Sequence, residues 1–267
     1  MQPLVLESLA RSFGRIVAVA DVSLVVHPGE IVGFLGKNGA GKTTTLRCMT
    51  GLLAPERGRI VIAGADLARE PLAAKARLGF VPDQPFLYDR LSAREFLAFI
   101  AALYDLPADA AERRATWLLE RLGLSPHAGR LLGGASLGMR QKTSIAAAML
   151  HSPPLLLLDE PLNGLDPPSA RALKDLLREH AAQGGGVLVS THLLDVAERL
   201  CDRVVILNAG RVVAEGTLEA LRGRHREGTP GDARAGEGAG GPEGSSRRSL
   251  EDLFMELSAE APGGTGA

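Results

Sequence analysis

The residues from Gly36 to Thr44, GKNGAGKTT, carry the densest chemistry in the sequence. They fit the pattern G-x-x-x-x-G-K-[ST] and lie between an apolar run, IVGFL, and a helical run, the setting a phosphate-binding loop requires. Gly36, Gly39 and Gly41 let the main chain curl, so its N–H groups and those of Lys37, Asn38 and Ala40 can surround a phosphate. Lys42 brings a cation to the β and γ phosphates of a nucleotide. Thr43, with Thr44 beside it, offers a hydroxyl to Mg²⁺. The helix that starts here adds its dipole.

A second cluster is LLLLDEP, which puts Asp159 and Glu160 at the end of a buried apolar strand. Ligands gather at the carboxyl ends of strands in open α/β sheets. Two adjacent carboxylates there are costly unless a cation meets them. Asp159 suits Mg²⁺, reached through water. Glu160 suits polarising an attacking water as a general base. The alternative is a helix-capping Asp-Glu pair after a core strand. VSTH ends another strand with His192, from which an imidazole can hydrogen-bond a γ-phosphate.

The third stretch is LLGGASLGMRQK, residues 131–142. It has the composition of an anion-binding helix start, with a bulky Leu137 inside it. It is a working site, a decayed one or a helix cap.

The elements around these residues fix the fold class. Residues 1–35 read as strands, with the turn PGE between SLVVH and EIVGFLG. A helix follows over 42–52, then a strand and turn at GRIVIAGADL and a short buried strand at LGFVPD. Ser92 and Glu95 form a capping box for a helix with an inward face of Phe96, Leu97, Phe99, Ile100 and Leu103. A second amphipathic helix spans about 109–122, with Trp117, Leu118 and Leu122 turned to the core. LLLLD, GVLVSTH and DRVVILNAG are near-continuous apolar runs, as strands buried on both faces should be. Asp166 followed by Pro167 marks another helix start. Strand alternating with helix implies a parallel α/β sheet.

Residues 222–248 are rich in Gly, Arg and Glu and nearly free of large apolar residues, which predicts a flexible linker. A short amphipathic helix at 249–258 and a frayed tail at 259–267 follow. The chain has 267 residues, 45% of them hydrophobic, enough for a substantial core. With 30 Lys and Arg against 31 Asp and Glu, it is not a strongly basic nucleic-acid binder. Its two cysteines, Cys48 and Cys201, lack metal-ligand spacing and predict reduced thiols in a cytosolic protein. The charges near its beginning come too early for a signal peptide. No segment reaches the roughly 18 apolar residues of a membrane span.

These motifs, in this order over about residues 1–220, resemble those of ATP-binding-cassette (ABC) transporter ATPases. SFG matches the adenine-stacking loop and places Phe13 on the base. NGLD, residues 163–166, resembles the loop that crosses the dimer interface, and STH gives His192 the role of switch histidine. The resemblance implies a P-loop NTPase (RecA-like) α/β core with an N-terminal antiparallel β subdomain and an inserted α-helical subdomain near 85–150, all within residues 1–221. It also implies two such domains closing head to tail over two ATPs with Mg²⁺.

The family's L-S-G-G-Q signature falls on Ala135 to Met139, keeping Ser136 and Gly138. Ser136, Gly138 and Met139 would then face the partner's γ-phosphate, and Asp166 the interface. The form S-x-G-M-x-Q resembles an exporter and drug-resistance branch, so a variant signature is favoured over a decayed one. The family's glutamine after the short strand is replaced by Asp83, with Gln84 next to it; either can approach Mg²⁺, or the turn only docks a partner. Phe86 and Tyr88 meet membrane-subunit helices or pack locally. The implied partners are polytopic transmembrane subunits and a second ATP-binding domain, in a homodimer or heterodimer, with no nucleic acid. The implied place is the cytoplasmic face of the membrane. The competing reading is a soluble ABC ATPase acting on ribosomes or DNA.

Overall fold

The structure, a computed structural model, describes residues 1–221. The expected linker, terminal helix and tail lie outside the described residues. The strands are β1 (Leu4–Phe13), β2 (Ile16–Val26), β3 (Ile31–Leu35), β4 (Arg57–Ile62), β5 (Ala65–Asp66), β6 (Leu78–Val81), β7 (Leu155–Asp159), β8 (Gly186–Thr191), β9 (Arg203–Asn208) and β10 (Arg211–Gly216). The helices are α1 (Lys42–Met49), α2 (Pro71–Ala76), α3 (Ala93–Leu103), α4 (Ala108–Arg121), α5 (Leu137–Met149), α6 (Pro167–Ala182) and α7 (Leu194–Leu200).

One curled sheet runs in the order β5-β4-β1-β2-β10-β9-β3-β8-β7-β6. The block β9-β3-β8-β7-β6 is parallel, and β1, β2, β4 and β5 pair antiparallel. This is the mixed α/β architecture of a P-loop NTPase with an antiparallel N-terminal portion. Helices α3, α4 and α5, between β6 and β7, build the helical layer.

The apolar runs behave as buried parallel strands must. In β7, Leu155 and Leu157 face the core shared with β1, β2 and α1, while Leu156 and Leu158 face the core under α3 to α6. The period-2 alternation is present, but both faces are covered, so no polar residue marks either one. Strand β6 approaches α5 closely: a Cβ on Gly79 would lie 2.2 Å from the Ala148 carbonyl oxygen and 2.7 Å from Leu156 Cδ2. Gly79→Ala is therefore expected to destabilise the fold by about 1–3 kcal/mol through overpacking, read as a lower urea midpoint with unchanged m-value.

Arg203 on β9 ties the strand ends together. Its Nε donates to Glu30 Oε1 at 2.7 Å and its Nη2 to the Val25 carbonyl at 2.6 Å, and Glu215 completes the group. Burial pushes the Glu30 carboxyl up, but hydrogen bonds from Arg203 and the His27 amide outweigh it and leave its pKa below the ordinary value. A depressed carboxylate pKa contributes stability above the unfolded value, lost as pH falls through the folded one. Arg203→Ala is expected to cost on the order of 1–2 kcal/mol at pH 7. The gap to the parent should narrow below about pH 4.3 in denaturant titrations.

Several helix expectations shift. Helix α1 ends at Met49, with Thr50 as its C-cap, three residues short of the expected end. The Ser92–Glu95 capping box forms. The buried stripe of α3 passes through Ala93, Phe96, Leu97 and Ala101, while Phe99 and Leu103 are exposed. Phe99 instead meets Tyr88 edge-on, with centroids 5.4 Å apart. Trp117 lies at the core's edge, partly buried, beneath the guanidinia of Arg114 and Arg121. Both cysteines are free. Among the described residues, no helix is long and apolar enough to cross a membrane.

Candidate functional site

Parallel pairing brings three strand ends to one edge of the sheet. Leu35 of β3 lies beside Thr191 of β8, and Ser190 lies beside Asp159 of β7. The Gly36–Gly41 loop, His192 and Glu160 are the next residues along each strand, so they emerge together.

Between β3 and α1 the loop turns through left-handed glycines, Gly39 (φ 82°) and Gly41 (φ 104°). Gly41 is the N-cap of α1, and no side chain caps that end. The amides of its first turn thus keep their donors for an anion. A Cβ on Gly41 would lie 2.3 Å from the Ala18 carbonyl oxygen of β2, so the N-terminal hairpin presses directly on the loop. The turn at Gly210 locks this junction, donating to Ala40 O at 3.0 Å and accepting from Ala20 N at 2.8 Å. Phe13, at the tip of the same hairpin, is 48% exposed, with the Arg11 guanidinium 5.2 Å from its ring centre. A ring so placed has a face free to stack.

Lys42 is buried. Its Nζ donates to the Gly36 carbonyl at 2.6 Å and the Lys37 carbonyl at 3.3 Å. Burial lowers its pKa, and the Glu160 and Asp159 carboxylates work against that shift. Thr43 Oγ1 donates to Asp159 Oδ2 at 2.8 Å, and Ser190 Oγ donates to Asp159 Oδ1 at 2.8 Å. Both oxygens of the buried Asp159 are thus held. A hydroxyl and a carboxylate form a hard oxygen pair suited to Mg²⁺. Among the described residues, no group of three His, Cys, Asp or Glu side chains could hold a metal by itself. The residues therefore fit Mg²⁺ as one partner of a site that phosphate oxygens would complete.

Glu160 leaves the strand with φ 45°, a left-handed conformation rare outside glycine that stores on the order of 1–3 kcal/mol. Its amide donates to Ser190 O at 2.9 Å, and its Oε1 lies 2.8 Å from His192 Nδ1. A carboxylate only accepts, so Nδ1 carries a proton. The structure thus brings Lys42, Thr43, Asp159, Glu160 and His192 together.

The 131–142 stretch is a helix start. Leu132–Gly134 form a 3₁₀ turn, and Ser136 is the N-cap of α5, its Oγ accepting from Met139 N at 3.3 Å. The hydroxyl proton stays free to donate outward. Gly138 has an internal reason to be glycine: a Cβ there would lie 2.6 Å from the Gly164 carbonyl oxygen. Leu137 is 56% exposed, yet its Cδ2 would sit 2.9 Å from a Cβ on Gly164. Its outer atoms, Cδ2 and Cγ, pack against Gly164 in the 160–166 loop although the residue as a whole is exposed. Asp166 caps α6 by accepting from Ser169 N at 2.9 Å.

Asp83 and Gln84 are both exposed. The structure brings Asp83 to Asn163, whose Nδ2 donates to Asp83 Oδ1 at 3.0 Å, and not into the hydrogen bonds of Thr43 and Asp159. The sequence assigns no role to Ser190 or Gly210, and marks Asn163 and Gly164 only as part of the NGLD loop. Ser190 had a signal: it is the polar residue two before His192 in an apolar strand.

The family described as ABC transporter matches residues 19–163. The chain is 40% identical over 205 residues to the ABC transporter ATP-binding protein NatA of Bacillus subtilis (strain 168), covering 76% of this chain and 83% of that one. It is 39% identical over 216 residues to the doxorubicin resistance ATP-binding protein DrrA of Mycobacterium tuberculosis, covering 80% and 64%. A solved structure of an ATP-binding subunit of an ABC transporter superposes with a TM-score of 0.83 at 37% identity, over 95% of this chain and 98% of that one. Hairpin, phosphate loop, paired carboxylates and helical layer thus stand together in a chain that belongs to the ABC transporter family, as one of its ATP-binding proteins.

Proposed function

We propose that this chain hydrolyses ATP to drive a multi-subunit exporter, through head-to-tail closure of two ATP-binding domains at the inner face of a membrane. The observation that carries this reading is the Glu160–His192 contact at 2.8 Å, next to a phosphate loop whose Thr43 is already bonded to Asp159. The loop amides and Lys42 hold the phosphates. Thr43 and Asp159 would hold Mg²⁺, which would supply charge neutralisation to the phosphates. Glu160 accepts the proton of the attacking water, and His192 fixes the carboxylate. Ser136, free to donate, and the first amides of α5 face outward, where a second domain's nucleotide would complete them.

Coupling to a membrane subunit is supported by a cavity of ≈ 340 Å³ between the 82–88 loop, α3 and α5, lined by Phe86, Phe96, Ile100, Tyr104 and His151. Phe86, which lines it, is 84% exposed and the nearby Tyr88 58%, an apolar surface that water does not favour and a partner helix would cover. Export is supported by the relative named for doxorubicin resistance.

Light scattering of the full-length Glu160→Gln chain tests the closure. Its mass should double on adding ATP and Mg²⁺ and return to the monomer value with ADP. A mass that ignores nucleotide would sink closure between two copies of this chain.

A further inference from the structure

We propose that Asp83 is a positioning residue for the loop that carries Glu160, acting through Asn163, and not a ligand of the metal. This rests on the reading of Glu160 as the base. Residues 160–163 form one tight turn, closed by Asn163 N donating to Glu160 O at 3.1 Å. The side chain of the turn's last residue then reaches out to Asp83 Oδ1 at 3.0 Å. Glu160 sits at the strained end of that turn, so its side-chain direction depends on where the turn is held.

Three other contacts pin the same loop from the α5 side. Gln141 Nε2 donates to Pro161 O at 3.4 Å in a buried position. Gly138 abuts the Gly164 carbonyl, and Leu137 lies over Gly164. The Asp83 bond joins the loop to residues 82–88, three residues before the exposed Phe86. A second link closes the circuit: Arg140 on α5 donates to Asp89 at 2.7 Å and to Leu132 O at 2.8 Å. Whatever engages Phe86 and Tyr88 therefore pulls on Asp83, and through Asn163 on the turn that aims Glu160.

The same contacts disfavour the metal role. Asp159 already offers Thr43 a carboxylate oxygen. Asp83 does not join Asp159 and Glu160 in a metal-holding group among the described residues. Its Oδ1 is committed to an amide. An amide donor needs only an oxygen acceptor, so Asp83→Asn keeps the bond to Asn163, whereas a lost metal ligand would raise the Mg²⁺ requirement in Asp83→Ala but not in Asn163→Ala.

The experiment is steady-state ATP hydrolysis by the full chain, titrated in ATP and in Mg²⁺, for Asp83→Ala, Asp83→Asn, Asn163→Ala and the Asp83→Ala/Asn163→Ala pair. Each alanine variant should lower kcat about fivefold, the value of one hydrogen bond, with KM for ATP and the Mg²⁺ requirement unchanged. The pair should fall no further than either single variant, and Asp83→Asn should keep most of the activity. An Asp83→Asn loss equal to that of Asp83→Ala, with a raised Mg²⁺ requirement, overturns the proposal in favour of a metal ligand. Multiplying losses in the pair, or unchanged kcat in the alanine variants, also overturns it. Glu160→Gln measured alongside separates the two readings, because wild-type turnover there would remove the base itself whatever Asp83 does.

Discussion

Glu160→Gln is expected to lower ATP turnover by about 10²- to 10⁴-fold, the usual contribution of a positioned general base, while nucleotide affinity stays within a few-fold. The substitution is close to isosteric. A glutamine Oε1 can still accept from His192 Nδ1, so the contact at 2.8 Å and the turn to Asn163 should persist. What is lost is the ability to take a proton from water. The prediction is therefore a split: kcat collapses and binding does not. Equilibrium binding of a fluorescent ATP analogue beside steady-state phosphate release checks it. Turnover within threefold of the parent would mean that another group is the base.

Lys42→Ala is expected to weaken ATP binding by roughly 10- to 100-fold, the worth of a charge-assisted hydrogen bond, and to abolish measurable hydrolysis. The ammonium is buried and rests on the carbonyls of Gly36 and Lys37, so the loop is built around it. Without it, two carbonyls lose their donor and the phosphates lose a cation in a site that also holds the Asp159 and Glu160 carboxylates. This variant should fail at the binding step, where Glu160→Gln fails after it. Calorimetric titration with ATP and Mg²⁺ measures the difference. Affinity equal to the parent's would remove Lys42 from the phosphate site.

The parts legible in the sequence are those whose residue types are forced by their chemistry. Gly41 needs φ 104° against the β2 carbonyl, and only glycine serves there. Asp166 and Ser92 cap helices by local rules that span three residues, so both appear in the sequence pattern and in the structure. Strand ends were legible because apolar runs stop where ligands begin.

What could not be read depends on contacts far apart in the chain. Asn163 meets Asp83 across 80 positions, and no spacing rule connects them. Gly138 looked like a residue kept small for a ligand, yet the Gly164 carbonyl already requires it. Replacing it would therefore disturb the chain's own packing before it touched any partner site. Phe99 and Leu103 misled for a different reason. Their spacing fits the helical period, but the tertiary layer takes the neighbouring face of α3 and leaves both exposed, Phe99 against Tyr88.

The central step of the proposed function is cleavage of ATP at the junction of β3, β7 and β8, with Glu160 as base. A rapid-quench single-turnover measurement, with enzyme in excess over ATP labelled at the γ-phosphate, tests this most directly, because it sees the chemical step apart from binding and release. The parent chain should convert bound ATP to ADP and labelled phosphate in one phase. The Glu160→Gln chain should hold the same ATP intact over many parent half-lives. Labelled phosphate formed by Glu160→Gln at the parent's rate would contradict it.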